Sequence, residues 1–176
     1  MRQNNWYVLT GAPSSGKTTI IKLLEKKGYK VLYEVARIFI NQELRKGKTI
    51  QEIRKDEADF QRKILKLKIT HESKLNNPKE ITFLDRAIPD SIAYNELLGL
   101  PKDKYLDQVI QKTSYKKVFM FEKLEFEKDY ARTESREAVE KLEKLIEKTY
   151  KNLPFPFVKV PKMSVEKRLK FILDNL

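Results

Sequence analysis

Short apolar runs alternate along the chain with longer stretches in which apolar residues recur every three or four positions. The short runs are rich in β-branched and aromatic residues and predict strands, whereas the longer period predicts amphipathic helices. The predicted strands are residues 6–11, 30–35, 81–86, 117–122 and 157–160. The predicted helices are about 16–27, 36–46, 50–75, 89–98, 102–113, 135–151 and 164–175. This alternation predicts an α/β fold in which helices cover a parallel sheet.

Local signals refine three of these elements. Thr49 and Glu52 have the spacing of a capping box, and Pro89 suits the first turn of a helix. Three prolines within residues 152–161 predict a rigid approach to an edge strand, where proline is tolerated.

The predicted helix 50–75 carries one apolar stripe, which includes the only histidine of the chain. The stripe consists of Ile53, Phe60, Ile64, Leu67, His71 and Leu75. We interpret His71 as a hydrogen-bonded packing residue, with contact to a ligand as the alternative, because no placed carboxylate accompanies it.

The length and composition set further bounds. The 176 residues are predicted to form one domain, 1–176, and the absence of cysteine excludes disulfides, a thiol nucleophile and thiolate metal sites. A single histidine also excludes a histidine-rich metal site. The first residues lack the apolar region of a signal peptide, and no apolar window is long enough to span a membrane. A cytoplasmic protein is therefore expected.

The net charge of +12 has two interpretations. Lysines are scattered beside glutamates along the predicted helices, and this favours general solvated surface charge. The alternative is a patch that binds a polyanion such as nucleic acid or an anionic lipid. No oligomeric state is predicted.

The strongest motif follows the first predicted strand. Gly11-Ala12-Pro13-Ser14-Ser15-Gly16-Lys17-Thr18 matches the Walker A pattern, and an amphipathic helix begins at its end. Glycines let the backbone approach phosphate oxygens, so the amides of residues 14–19, Thr19 included, are expected to surround them at a helix N-terminus. Lys17 is predicted to bind the β and γ phosphates and the Thr18 hydroxyl to ligate Mg²⁺. A plain glycine-rich turn would not explain why Lys17 and Thr18 follow Gly16 directly.

Other strands of the predicted sheet end in charged residues. Asp85 follows an apolar strand as a Walker B acid does, which predicts a second Mg²⁺ ligand, with a helix cap as the alternative. Arg86 is expected to contact a phosphate or to hold that acid. Glu34 is a candidate general base or substrate-orienting group, or else a salt-bridge partner of Arg37.

A polar segment after the fourth strand carries two further candidates. Arg132 and Arg136 are predicted to reach over the phosphates from a lid formed by about residues 123–136, with ordinary helix-start arginines as the alternative.

Taken in order, Walker A, "YEVAR", "FLDRAIPDSIAY" and the arginine-bearing segment resemble the AAA-like NTPase domain family that includes the nicotinamide riboside kinase domain of bacterial NAD-synthesis regulators. The resemblance covers nearly the whole chain, and the element at 85–94 is its more specific motif. More distantly, Glu34 and the Asp85-Arg86 pair are similar to the site residues of deoxynucleoside kinases. That resemblance implies a general base at Glu34 and metal and phosphate handling by Asp85 and Arg86. The resemblance to the AAA-like family also allows a nucleotide-binding protein that recognises phosphoinositides, because members of that family differ in function.

The combined expectation is a doubly wound five-stranded sheet of the P-loop kinase type, in the order 2-3-1-4-5. The predicted function is Mg²⁺-dependent transfer of the γ-phosphoryl group of ATP or GTP to a small hydroxylated, nucleoside-like acceptor. A helical insert, about 36–75, together with Glu34, Arg37, Asp90 and Tyr94 is expected to line the acceptor cleft. The alternative is a nucleotide-dependent binding protein or slow NTPase that recognises a polyanion.

Overall fold

The computed structural model of the chain describes residues 4–124 and 135–176. Its parallel strands pair in the order β2-β3-β1-β4-β5. They are β1 (Trp6–Thr10), β2 (Lys30–Leu32), β3 (Thr82–Asp85), β4 (Lys117–Phe121) and β5 (Phe157–Val160). The helices in this part of the chain are α1 (Lys17–Lys26), α2 (Val35–Arg45), α3 (Ile50–Ile53), α4 (Glu57–Ser73), α5 (Asp90–Leu97), α6 (Lys104–Ile110), α7 (Arg136–Lys151) and α8 (Val165–Asp174). The predicted fold class and strand order are confirmed, and β5 lies at an edge of the sheet as predicted.

Both faces of the sheet are buried, which explains why the strands read as continuous apolar runs. Successive side chains of a strand point to opposite faces, so each strand contributes to two cores. One core joins the sheet to α1 and α8 and includes Tyr7, Leu9, Ile20, Leu24, Phe119, Phe121 and Ile172. The other joins it to α5 and α7 and includes Val8, Leu84, Ala93, Val118, Met120, Leu142 and Ile146.

The central position of β1 places the Walker A segment. Leu9 pairs with Asp85 of β3, and Thr10 pairs with Met120 of β4. The segment after β1 therefore leaves the sheet between the carboxyl ends of β3 and β4. Ligands of open parallel sheets bind at this kind of crossover point.

The prediction of one helix over 50–75 is wrong, because the chain forms α3 and α4 with a break at residues 54–56. The Asp56 side chain caps α4 by accepting a hydrogen bond from the Asp59 amide at 2.8 Å. Arg54 reinforces this start through an ion pair with Glu57 at 2.7 Å. A side chain that bonds to the backbone competes with helix continuation, so Asp56 begins a new helix here. The predicted capping box at Thr49 is confirmed.

The buried face of α4 also differs from the predicted stripe. Phe60 and Ile64 are buried as expected, but His71 is only half-buried. The remainder of the buried face consists of Gln61, Leu65, Lys68 and Glu72. Two charged side chains therefore occupy positions that an apolar periodicity cannot reveal.

The second strand is shorter than the predicted 30–35. It ends at Leu32, and Glu34 takes the N-cap position of α2 with φ −55° and ψ 111°. Glu34 thus lies in the turn between β2 and α2, at the carboxyl edge of the sheet. No helix in the described part of the chain is long and apolar enough to cross a lipid bilayer.

Candidate active site

The Walker A segment forms a tight turn whose glycines are required by its geometry. Gly11 has a φ of +134°, and a Cβ there would lie 2.5 Å from the carbonyl oxygen of Phe121. Gly16 has a φ of +81° and stands directly before α1. A side chain at position 11 would displace β4. At position 16, glycine adopts the left-handed backbone conformation without strain.

Lys17 is folded into this turn. Its Nζ donates hydrogen bonds to the carbonyl oxygens of Gly11 and Ala12 at 3.1 and 2.9 Å and to Ser15 Oγ at 2.8 Å. Burial lowers the pKa of Lys17 to about 7, and the nearby Arg86 charge acts in the same direction. An anionic phosphate in the turn would favour the charged ammonium form.

The two predicted metal ligands lie together. The Thr18 hydroxyl donates to Asp85 Oδ2 at 3.4 Å, whereas the other carboxylate oxygen, Oδ1, is buried without a hydrogen-bond partner among the described residues. Burial, aided by the Glu34 charge, raises the pKa of Asp85 to about 6. A buried carboxylate oxygen without a donor beside a hydroxyl suits Mg²⁺, which takes oxygen ligands and few protein groups. No cluster of three or more His, Asp or Glu suited to a metal occurs in residues 4–124 and 135–176.

Glu34 contacts two arginines at the edge of the sheet. Its Oε1 accepts a hydrogen bond from Arg86 Nε at 3.0 Å, and its Oε2 lies 3.8 Å from Arg37 Nε. Burial raises the pKa of Glu34, but the charges of Arg86, Lys17 and Arg37 outweigh it and hold the pKa below its usual range. Glu34 is therefore an ionised carboxylate at neutral pH, with 22% of its side chain exposed.

Arg86 is fixed by its neighbours in an unusual backbone conformation. Its φ of +64° is left-handed, which costs a side-chain-bearing residue about 1–2 kcal/mol. The guanidinium bonds Glu34 and, at 3.2 Å, Asp90, and it lies 5.5 Å from the ring centre of Tyr94. Tyr94 therefore contacts the site through the Arg86 guanidinium, which lies over its ring. These contacts offset the backbone cost and aim the arginine at the Glu34 carboxylate.

Asp90 is the centre of a buried network behind Arg86. It accepts hydrogen bonds from the Thr10 hydroxyl at 2.6 Å, the Tyr150 hydroxyl at 2.7 Å, the Ala87 amide at 2.9 Å and Arg86 at 3.2 Å. Its exposed fraction is 0%. The side chain predicted to line the acceptor cleft therefore has no surface to offer an acceptor in this structure, and it positions Arg86 instead.

Replacing Asp90 by Asn is expected to lower the free energy of unfolding by about 2 kcal/mol, because an amide nitrogen would face donors that now share two carboxylate oxygens. Urea unfolding measures this change. Asp107→Asn, on the exposed face of α6, is the matched control and should change stability by less than about 0.5 kcal/mol. An equally small effect of Asp90→Asn would contradict the network described above.

The remaining predicted residues are placed differently. Thr19 has an exposed side chain on α1. Arg136 is 73% exposed and lies 3.6 Å from Glu140 on the first turns of α7, so this structure does not bring it to the phosphate turn. Arg132 and most of the predicted lid lie outside the described residues.

The model of a family described as an AAA domain matches residues 6–168, nearly the whole chain. The chain belongs to this AAA domain family. The resemblance inferred from the motifs is thereby confirmed. No curated protein sequence shows significant similarity to this AAA domain.

Solved structures resemble the AAA domain over its full length. Deoxyadenosine kinase from M. mycoides with bound dATP is 20% identical with a TM-score of 0.68, and the match covers 97% of this chain and 98% of that one. Thymidylate kinase from Ehrlichia chaffeensis is 16% identical with a TM-score of 0.69, with 97% of both chains covered. The NadR protein in complex with NR is 16% identical with a TM-score of 0.71, and the match covers 98% of this chain and 50% of that one. These likenesses support the P-loop kinase fold.

The AAA domain also contains two buried titratable side chains, Lys68 and Glu72, that sequence reasoning missed. Lys68 donates to Ser91 Oγ at 3.2 Å, and Glu72 accepts from the Tyr115 hydroxyl at 2.6 Å and the Ile88 amide at 3.0 Å. The signal was present, since Lys68 and Glu72 follow Ile64 at intervals of four on one helix face. The pair joins α4 to the start of α5 and so supports the turn that carries Arg86.

Burial raises the pKa of Glu72 from 4.5 to about 7, so its ionisation opposes folding. The stability that the protonated group permits is fully present below pH 4.5 and is lost as pH rises from there to about 7. We expect Glu72→Gln to stabilise the protein by about 1–2 kcal/mol at pH 8 and by much less at pH 5. Urea unfolding at both pH values, with the exposed Glu96→Gln as control, measures the difference. A difference that does not grow with pH would contradict the prediction.

Proposed function

We propose that this AAA domain is a small-molecule kinase that transfers the γ-phosphoryl group of ATP or GTP to a hydroxyl of a nucleoside-like acceptor. The observation that carries the proposal is the contact between Glu34 and Arg86. This contact holds the ionised carboxylate of Glu34 beside Arg86, which directly follows the predicted metal ligand Asp85. Neither a plain phosphate-binding turn nor a structural salt bridge to Arg37 requires this arrangement.

The proposed chemistry assigns one task to each side chain. The acceptor hydroxyl attacks the γ-phosphorus while its proton passes to the Glu34 carboxylate. The bond between the γ-phosphorus and the bridging oxygen breaks, and that oxygen leaves with the nucleoside diphosphate. Lys17 and Arg86 offset negative charge on the transferred group and the leaving group. The rate then depends on positioning and electrostatics more than on covalent chemistry.

Thr18 and Asp85 would hold Mg²⁺ in this proposal. Bound Mg²⁺ would neutralise part of the negative charge of the phosphates. Thr18 would offer the metal a neutral hydroxyl. Burial raises the pKa of Asp85, and a cation beside this carboxyl would favour its ionised form.

The acceptor would approach from the side of α2 and α4, where Glu34 and Arg37 retain 22% and 27% exposure. The kinases named above act on small nucleosides or nucleotides, as their names state. At their low identity they suggest a class of acceptor, and the proposed site itself rests on Glu34, Asp85 and Arg86 of this chain.

Incubation with Mg-ATP or Mg-GTP and a panel of nucleosides and vitamins tests the proposal, with phosphorylated product and free phosphate measured separately. Product formed above the rate of a Lys17→Ala control is expected for at least one acceptor. Free phosphate without product would favour the NTPase switch and overturn the kinase proposal.

A further inference from the structure

Arg168 of α8 lies against the phosphate turn, 153 residues away in sequence. Its Nη1 donates to the Ser15 carbonyl oxygen at 2.8 Å, and its Nε donates to the Pro161 carbonyl oxygen at 3.0 Å. The guanidinium carbon also lies 5.8 Å from the ring centre of Phe121. One side chain therefore joins the turn after β1, the end of β4 and the segment after β5.

The side chain is held there at an energetic cost. Arg168 is 2% exposed, its hydrogen bonds among the described residues go to neutral carbonyl groups, and its Nη2 is buried without a partner there. Burial lowers the pKa of Arg168, and the charge of Glu122 acts in the opposite direction. Burying a charge that has no ion-pair partner costs free energy. If this position only had to fill the core, an apolar residue would suffice, as Ile172 does one turn later on the same helix face.

The contact with Ser15 fixes the orientation of a peptide group. A trans peptide is planar, so its C=O and N–H point in opposite directions. Because the Ser15 carbonyl is directed at Arg168, the Gly16 amide in the same plane is directed away from Arg168, into the turn. A second bond acts in the same way one residue earlier, since the Leu124 amide donates to the Ser14 carbonyl at 3.3 Å and so orients the Ser15 amide.

We propose that Arg168 is a positioning residue of the phosphate site: it holds the Ser15–Gly16 peptide so that the Gly16 amide faces the phosphates. This inference rests on the proposed nucleotide binding. The guanidinium suits the task because its rigid planar group holds two donors at a fixed angle, and each bonds a different carbonyl; a lysine ammonium lacks this fixed geometry. Arg168 also lies directly beside Gly16, since its Nη1 is 3.4 Å from the position that a Cβ of residue 16 would occupy.

The test compares Arg168→Met, which keeps an unbranched apolar stem over Phe121, and Arg168→Lys, which keeps the charge, with Lys167→Met as control. Lys167 is the exposed neighbour on the same helix, so its loss removes equal charge without touching the turn. Calorimetry of Mg-ATP, Mg-ADP and pyrophosphate binding gives the affinities, and melting without nucleotide reports folding. Arg168→Lys keeps the inference testable if Arg168→Met does not fold.

We expect Kd to rise about tenfold in Arg168→Met and by a smaller factor in Arg168→Lys. Within each variant, the rise should be the same for all three ligands. Lys167→Met should stay within twofold of the unaltered protein. Folded Arg168 variants that lose melting temperature but bind within twofold would overturn the inference, because the arginine would then serve packing alone. Failure of the unaltered protein to bind any of the three ligands would overturn the proposed function and this inference together.

Discussion

Glu34→Gln is expected to lower the rate constant for phosphoryl transfer by about 10²- to 10⁴-fold while the affinity for Mg-ATP changes little. Gln keeps the shape of Glu34 and still accepts a hydrogen bond from Arg86, but it cannot take the acceptor proton. Because the carboxylate is held in its ionised form by Arg86, the loss should persist across the neutral pH range. Single-turnover measurements at saturating acceptor separate this loss from weaker binding.

Glu80→Gln is the matched control for that change. Glu80 pairs with Lys30 at the amino-terminal ends of β2 and β3, at the opposite edge of the sheet from Glu34. Both side chains are partly exposed. Its replacement should leave transfer within twofold. Equal rates for Glu34→Gln and the unaltered protein would exclude Glu34 as the base and leave it as an ion-pair partner of the two arginines.

Lys17→Ala is expected to reduce the transfer rate by about 10³-fold and to weaken Mg-ATP binding as well. The substitution removes a buried charge at the phosphate turn and three hydrogen bonds that hold the turn itself, to Gly11, Ala12 and Ser15. Both product formation and nucleotide affinity should be measured, because the alternative NTPase function also requires this lysine. The variant therefore tests the phosphate site, whereas Glu34→Gln tests the acceptor side.

Lys22→Ala removes the same side chain from an exposed position on the same helix, α1. It should bind Mg-ATP as the unaltered protein does. If Lys17→Ala were equally harmless, the Walker A match would be a structural turn without a nucleotide.

Sequence reasoning predicted the sheet and the phosphate turn because both depend on local patterns. The parallel sheet follows from β–α alternation, whereas its strand order was expected from the P-loop kinase type. The turn is specified by Gly11, Gly16 and Lys17 within eight residues. Asp85 and Glu34 were proposed as site residues because each follows an apolar run. The predicted end of β2 was too late, since Glu34 already occupies the N-cap position of α2.

The residues that were missed or misplaced depend on contacts between distant segments. Asp90 appeared to be a cleft residue, yet its oxygens are occupied by Thr10 and Tyr150, which lie 80 and 60 residues away. Arg168 carries no local signal, because its partner Ser15 lies 153 residues away in the sequence. The break at Asp56 was missed for a different reason, because a capping side chain can end one helix and begin another within a continuous periodic pattern.

The bond between Arg168 and Ser15 has a consequence for the order in which the protein is made and folds. Ser15 leaves the ribosome about 153 residues before Arg168, a delay of roughly 8–30 s at common rates of synthesis. During that interval β1 also lacks its neighbours β3 and β4, which arrive much later in the chain. The segment that gives the sequence its clearest signature is thus synthesised well before the segments that support its conformation. Nucleotide binding can therefore report completion of the fold.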